Sequence, residues 1–238
     1  DSRPVSKTQT ESEDKSNDSI RLNRSLYKWI TAESSASFVL RYVLNLRGYL
    51  IEGLKTDNLA DDVVKEMIQA LVQSGYRNQT QQRLRDYLAE ALQDQVGSLE
   101  IAKKDESIKK WMKQDLNPES LTWMRFWRDC LLERAWRSLE RNEHETPNEP
   151  YYSILHCATA HPSATSEMLS VQIAADHGLK IEPRKLESLL TKAKGLFAQL
   201  LADEVSESLS DNSHSCVLHE IQALGLNRAF EDVSIQKE

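Results

Sequence analysis

Apolar side chains return at every third or fourth position along almost the whole of this 238-residue chain, and no convincing run of alternating β-branched residues appears. Such spacing places the apolar set on one stripe of a helix and gives a strand no buried face. Only seven Gly and six Pro interrupt it. The expected fold is therefore all-α, as two small helical domains with a helix-turn-helix in the second. A chain of this length has enough residues for each domain to bury a core.

The punctuation suggests where the divisions fall. Residues 1–21 hold Ser, Thr, Asp, Glu and Lys with almost no apolar content and read as a disordered lead. Residues 22–102 read as a first helical domain: one helix is marked by Phe38, Tyr42, Val43, Leu46, Tyr49 and Leu50, the next by Leu59, Val63, Met67, Ile68, Leu71 and Val72 and ended by Gly75. A third, from about Gln79, is marked by Leu84, Tyr87, Leu88, Ala91, Leu92 and Val96. Residues 103–122, with five lysines and Asn117-Pro118, read as a linker, in which Trp111 between basic neighbours is a candidate contact to unwound DNA or a polymerase cleft. Residues 123–226 form the second domain and 227–238 an acidic tail.

Within the second domain, residues 166–202 read as a short helix, a turn and a longer helix. Ser166 is a candidate N-cap, and Met168, Val171, Ile173, Ala174 and Ala175 supply a short apolar face. His177-Gly178 makes a stop, and Pro183 sits where a new helix tolerates a missing N–H. Leu186, Leu189, Leu190, Ala193, Leu196, Phe197, Leu200 and Leu201 then line the second helix. Its other face is left to Arg184, Lys185, Glu187, Ser188, Thr191, Lys192 and Lys194, the candidate DNA-binding residues. Charge is thin here, with five bases against four acids, so a module like this is expected to act with a partner.

Net charge is −7, and from Asp203 onward there are eight acids and two bases. An acidic end of that kind repels nucleic acid and more ordinarily serves solubility or docking to a basic surface. No apolar run approaches a membrane span and the first twenty residues are too polar for a signal peptide, so a soluble, cytoplasmic protein without membrane contact is expected. Cys130, Cys157 and Cys216 are isolated, as befits reduced thiols.

No phosphate loop, nucleophile elbow or HExxH motif occurs, and no enzyme or cofactor is expected. A zinc site needs four well-placed ligands and no second Cys or His pair supports one at His214, Cys216 and His219, while His156, Cys157 and His161 read as core or surface residues, so no metal is expected. The tryptophans of the 123–139 helix read as a core stripe.

Five phrases carry a family resemblance: WRDCLLERAW (127–136), PYYSILHCATAHP (150–162), IAADHGLKI (173–181), LFAQLLADEVSESL (196–209) and LHEIQALGL (218–226). In this order and spacing they resemble the C-terminal DNA-binding domain of sigma factors of the extracytoplasmic-function type, most closely planctomycete-type variants. The first domain resembles the domain that docks on core RNA polymerase. Leu59-Ala60-Asp61-Asp62-Val63-Val64-Lys65-Glu66 is similar to the family's acidic D-A-E-D-L-T-Q-E helix, and Gln82-Arg83-Leu84-Arg85-Asp86-Tyr87-Leu88 to its G-R-F-R-D-Y-L.

The resemblance implies a transcription initiation factor with core RNA polymerase and promoter double-stranded DNA as partners, and an anti-sigma regulator as a further candidate. It implies polymerase binding by Asp61, Asp62 and Glu66, and upstream-element contacts by Arg83, Arg85, Lys103 and Lys104. Two departures stand out. Ala91-Leu92-Gln93-Asp94-Gln95-Val96-Gly97 replaces the family's basic helix, and the recognition helix keeps Lys192 and Lys194 where the family has a run of Arg. Lysine holds phosphate as a point charge but lacks the fork that arginine offers guanine. The alternative is a degenerate sigma-derived adaptor that acts through protein contacts without reading promoters.

Overall fold

The computed structural model describes residues 19–236 except 23, 26 and 77–82. In chain order its elements are β1 (Ser19–Arg21), α1 (Ser35–Val39), α2 (Val43–Leu54), α3 (Asp57–Ser74), α4 (Leu84–Ser98), α5 (Glu106–Gln114), α6 (Leu121–Glu145), α7 (Tyr151–Ala160), α8 (Ser166–His177), α9 (Pro183–Glu207), α10 (His214–Ala223) and β2 (Ser234–Gln236). The chain is all-α apart from β1 and β2, which pair in parallel with Ile20 opposite Ile235. Among the described residues no helix is long and apolar enough to cross a membrane.

Local signals explain several helix ends. Gly75 takes φ +60° and closes α3, Ser120 caps α6 by accepting the Trp123 N–H at 3.0 Å, and Pro183 opens α9. Thr165, rather than Ser166, caps α8, its hydroxyl accepting the Met168 N–H at 3.4 Å. The start expected near Gln79 lies outside the described residues.

Aromatic packing joins the two halves. Tyr42 and Trp127 rings lie 4.9 Å apart, and Tyr49 meets Trp123 at 5.3 Å and Phe126 at 4.6 Å, so α2 is set against α6. The Trp123 indole N–H donates to the Arg85 carbonyl at 3.0 Å and ties α6 to α4. One continuous buried core runs from Ile20 to Phe230. Burying each such large apolar side chain is worth about 1.5–3 kcal/mol.

Packing does not part at residues 103–122. Ile108 and Leu116 are buried in the same core, and Trp111 lies against Tyr49 and over Gly53. The linker expectation gives way to a packed helix, and the Trp111 ring is occupied by the core rather than presented to bases. At the end of the expected disordered lead, Ser19–Arg21 forms a strand, and the Gln199 amide bridges the Arg21 backbone, accepting its N–H at 2.9 Å and donating to its carbonyl at 3.0 Å.

The acids from Asp203 onward are largely spent inside the molecule. Asp203 pairs with Arg24, Glu204 with Arg41 at 2.8 Å and Arg134 at 3.3 Å, Glu207 with Arg41 at 2.7 Å, Glu220 with Arg85 at 2.7 Å, and Asp232 with Lys194 at 2.5 Å. Much of the basic surface expected to receive an acidic tail belongs to the chain itself.

Candidate nucleic-acid interface

Helix α9 passes through two environments. From Ala193 onward its inner side is in the main core, whereas Leu186 joins a separate cluster with Ile154, Cys157, Leu169 and Ile173. The first turns of α9 therefore pack with α8 and the end of α7 in a smaller cluster, joined to the main core through Leu189 and Leu190. Gly178, at φ +70°, ends α8 in the left-handed region that favours glycine, and five residues connect α8 to α9. The Ser170 hydroxyl donates to the Ile181 carbonyl and Ser166 Oγ donates to the Glu187 carboxylate at 3.0 Å, so α8 brackets the start of α9 at two points.

At about 100° per residue, Arg184, Lys185, Ser188, Thr191 and Lys192 fall within an arc of roughly 120° on the side opposite Leu186 and Ala193. All five are exposed. The arc holds three bases and two hydroxyls and no acid, a concentration that the thin net charge of residues 166–202 conceals. Two expected contacts leave it: Glu187 is taken by Ser166, and Lys194 is held by Asp232. The part from Pro183 to Lys192 is about 15 Å long, a length that suits a groove about 12 Å wide.

The short apolar face expected on α8 needs correction. Leu169 and Ile173 are the side chains it buries, while Met168 and Val171 are 61% and 72% exposed and share a face with exposed Ala175. Periodicity locates a stripe, and here the buried stripe is the neighbouring one.

Residues expected to contact the upstream element divide sharply. Arg85 is 1% exposed, donating to Glu220 and to the Pro118 carbonyl at 2.5 Å, and is closed to nucleic acid. Arg83 is held by Asp86 and Glu119, each at 2.7 Å, and lies 3.5 Å from Glu220. Arg83 and Arg85 thus fasten α4 to α10 rather than offering charge to solvent. Lys103 is exposed and paired with Glu100 at 2.7 Å, and Lys104 is exposed.

On α3, Asp61, Asp62 and Glu66 face solvent together. Arg47 Nε donates to Asp61 at 2.5 Å and holds its carboxyl below the usual range, by hydrogen bonding first. Asp62 and Glu66 leave that face acidic.

Among the described residues one group has the donor chemistry for a metal: the Cys157 thiol, the His161 imidazole and an Asp176 carboxylate oxygen all lie within 4.8 Å of one another. The positions of Cys157 and His161 in the sequence give no sign of Asp176, which α8 brings in. Cys216 is engaged elsewhere, its thiol donating to Asp211 at 3.3 Å. Compared with known proteins, the chain matches no protein-family model, no curated protein and no solved structure.

Proposed function

We propose that this chain is a sigma-like transcription initiation factor that docks on core RNA polymerase and directs it to promoter DNA, with the first turns of α9 entering the major groove. The observation that carries the reading is the exposed, acid-free arc of Arg184, Lys185, Ser188, Thr191 and Lys192 on the half of α9 whose inner side joins the smaller cluster. Bases and hydroxyls of this kind hold phosphates and base edges, and the start of the helix adds its own positive potential. The resemblance of the quoted phrases supplies the polymerase.

Three bases give modest affinity alone. Docking through Asp62 and Glu66 would raise the effective concentration of α9 at DNA, so two weak contacts combine. That arrangement reconciles a net charge of −7 with a DNA-directed role in the cytoplasm. An anti-sigma regulator would act by covering either surface.

A second reading has its own observation. The exposed Met168 and Val171 beside Ala175 on α8 suit a protein partner, and Arg83 and Arg85 are withdrawn from DNA, which fits a sigma-derived adaptor. Pull-down of purified bacterial core polymerase, followed by run-off transcription from a genomic fragment library, separates the two. Promoter-dependent transcripts lost in Asp62→Arg support the initiation factor. Polymerase capture without transcripts supports the adaptor, and no capture removes the polymerase from both.

A further inference from the structure

Helix α7 ends in Cys157 on its last turn and His161 as the residue that closes it, four positions on, so both side chains leave the same side of the helix. The chain turns, and α8 returns across α7 with Leu169 and Ile173 packed into the cluster that contains Cys157. This return brings Asp176, in the last turn of α8, to the pair. Three donors from two helices converge where nothing in the DNA-binding reading uses them.

We propose that Cys157, His161 and Asp176 form a zinc site that fastens the end of α7 to the end of α8. The donor set selects the ion. A thiolate and an imidazole suit zinc and disfavour calcium or magnesium, which take oxygen ligands. In a tetrahedral zinc site neighbouring donors stand about 3.3–3.8 Å apart. The donors here lie within 4.8 Å. The donors must draw together to reach that spacing, and His161 and Asp176 are exposed while Cys157 is held in the small core.

The surroundings fit as well. The Gln172 amide donates to both Asp176 oxygens, at 2.9 and 2.8 Å, and so orients the carboxylate from outside the donor set. One oxygen would turn to the metal and the other would keep Gln172. On binding, the thiol gives its proton to solvent, and the two charges of the cation are balanced by one thiolate and one carboxylate. With three protein ligands and two of them exposed, the fourth position falls to water. The result is a clamp across a cluster of five buried side chains, the smaller of the two buried clusters among the described residues.

The test is cobalt titration of the reduced full chain, read by absorbance, followed by competition with zinc. The native chain should take up one ion with a thiolate-to-cobalt charge-transfer band and the strong visible bands of tetrahedral cobalt, all lost on adding zinc. Zinc should also raise the melting temperature. His161→Ala and Asp176→Asn, at exposed positions where the fold is not at stake, should each weaken cobalt binding by at least about tenfold, and Cys157→Ala should remove the charge-transfer band. Cys216→Ala and His177→Ala should leave the spectrum as it is. A native chain with no charge-transfer band overturns the site, as does a band that survives in Cys157→Ala or disappears in Cys216→Ala.

Discussion

Arg85 Nε donates to Glu220 Oε1 at 2.7 Å, with the two side chains 1% and 2% exposed and 135 residues apart in the chain. The pair closes α4 against α10. Around it Arg83 reaches the other Glu220 oxygen at 3.5 Å, and the Leu84 N–H donates to the Ser208 carbonyl at 2.9 Å. Arg83 and Arg85, which suggested DNA contact, instead lock α4 to α10.

Breaking this pair from one side should be costly, because the buried Arg85 guanidinium loses its Glu220 carboxylate and keeps only Asp86 at 3.3 Å and the Pro118 carbonyl. Glu220→Ala is expected to lose about 3–5 kcal/mol of stability, and the apolar pair Arg85→Met with Glu220→Leu to recover most of it. Urea denaturation of the three chains checks this. If the double variant is no better than the single one, the cost lies in packing rather than in the orphaned charge.

What could be read from the sequence follows the range of the interaction that fixes each feature. The ends of α3 and α8 were legible because Gly75 and Gly178 act on their own turn. Which stripe of α8 goes inward was not, since Leu169 and Ile173 are chosen over Met168 and Val171 by the position of Leu186 and Ile154. The fate of the acidic end was equally hidden. Arg24, Arg41 and Arg134 meet Asp203 and Glu204 across 70 to 179 residues, and no local pattern announces such partners. In the candidate interface the polar face of α9 was visible, but its narrowing to five residues depends on Ser166 and Asp232 removing Glu187 and Lys194.

Gly53 holds the Trp111 ring at a distance no other residue permits. A Cβ there would stand 2.1 Å from Trp111 Cε2, against about 3.5–4.0 Å for carbon atoms in contact. Gly53→Ala should therefore cost about 1–3 kcal/mol, or about 2–4 °C in melting temperature per kcal/mol. In a Trp111→Leu background the same Gly53→Ala substitution should cost less than it does with Trp111 present. Equal penalties in the two backgrounds would mean that α5 does not pack on α2 through this contact.

Asp203 and Glu204 give the fold a pH dependence of definite sign. Burial raises both carboxyls above their ordinary values of 3.8 and 4.5, against the opposing pull of Arg24 on the first and of Arg41 and Arg134 on the second. The folded chain then binds more protons than the unfolded one through the interval above those values, so the contribution of these groups falls as pH rises through it. Asp203→Asn with Glu204→Gln removes the effect. From about pH 4 to about pH 7 the urea midpoint of the native chain should fall relative to that of the variant. A gap that moves the other way would show the arginines outweighing burial.

On the proposed reading, the α9 arc predicts which charges count toward DNA. Arg184 and Lys192 are exposed with their charge toward solvent, whereas Lys194 already neutralises Asp232. Each phosphate neutralised by a free cation releases counterions, so removing two such contacts should lower the slope of log affinity against log salt by about two. Arg184→Ala with Lys192→Ala is expected to do so on a random-sequence duplex, measured by fluorescence anisotropy over a salt series. Lys194→Ala should lower the slope less, because Asp232 already partly neutralises that cation. A slope that responds to Lys194 and ignores Arg184 and Lys192 would place the DNA on another face of the helix.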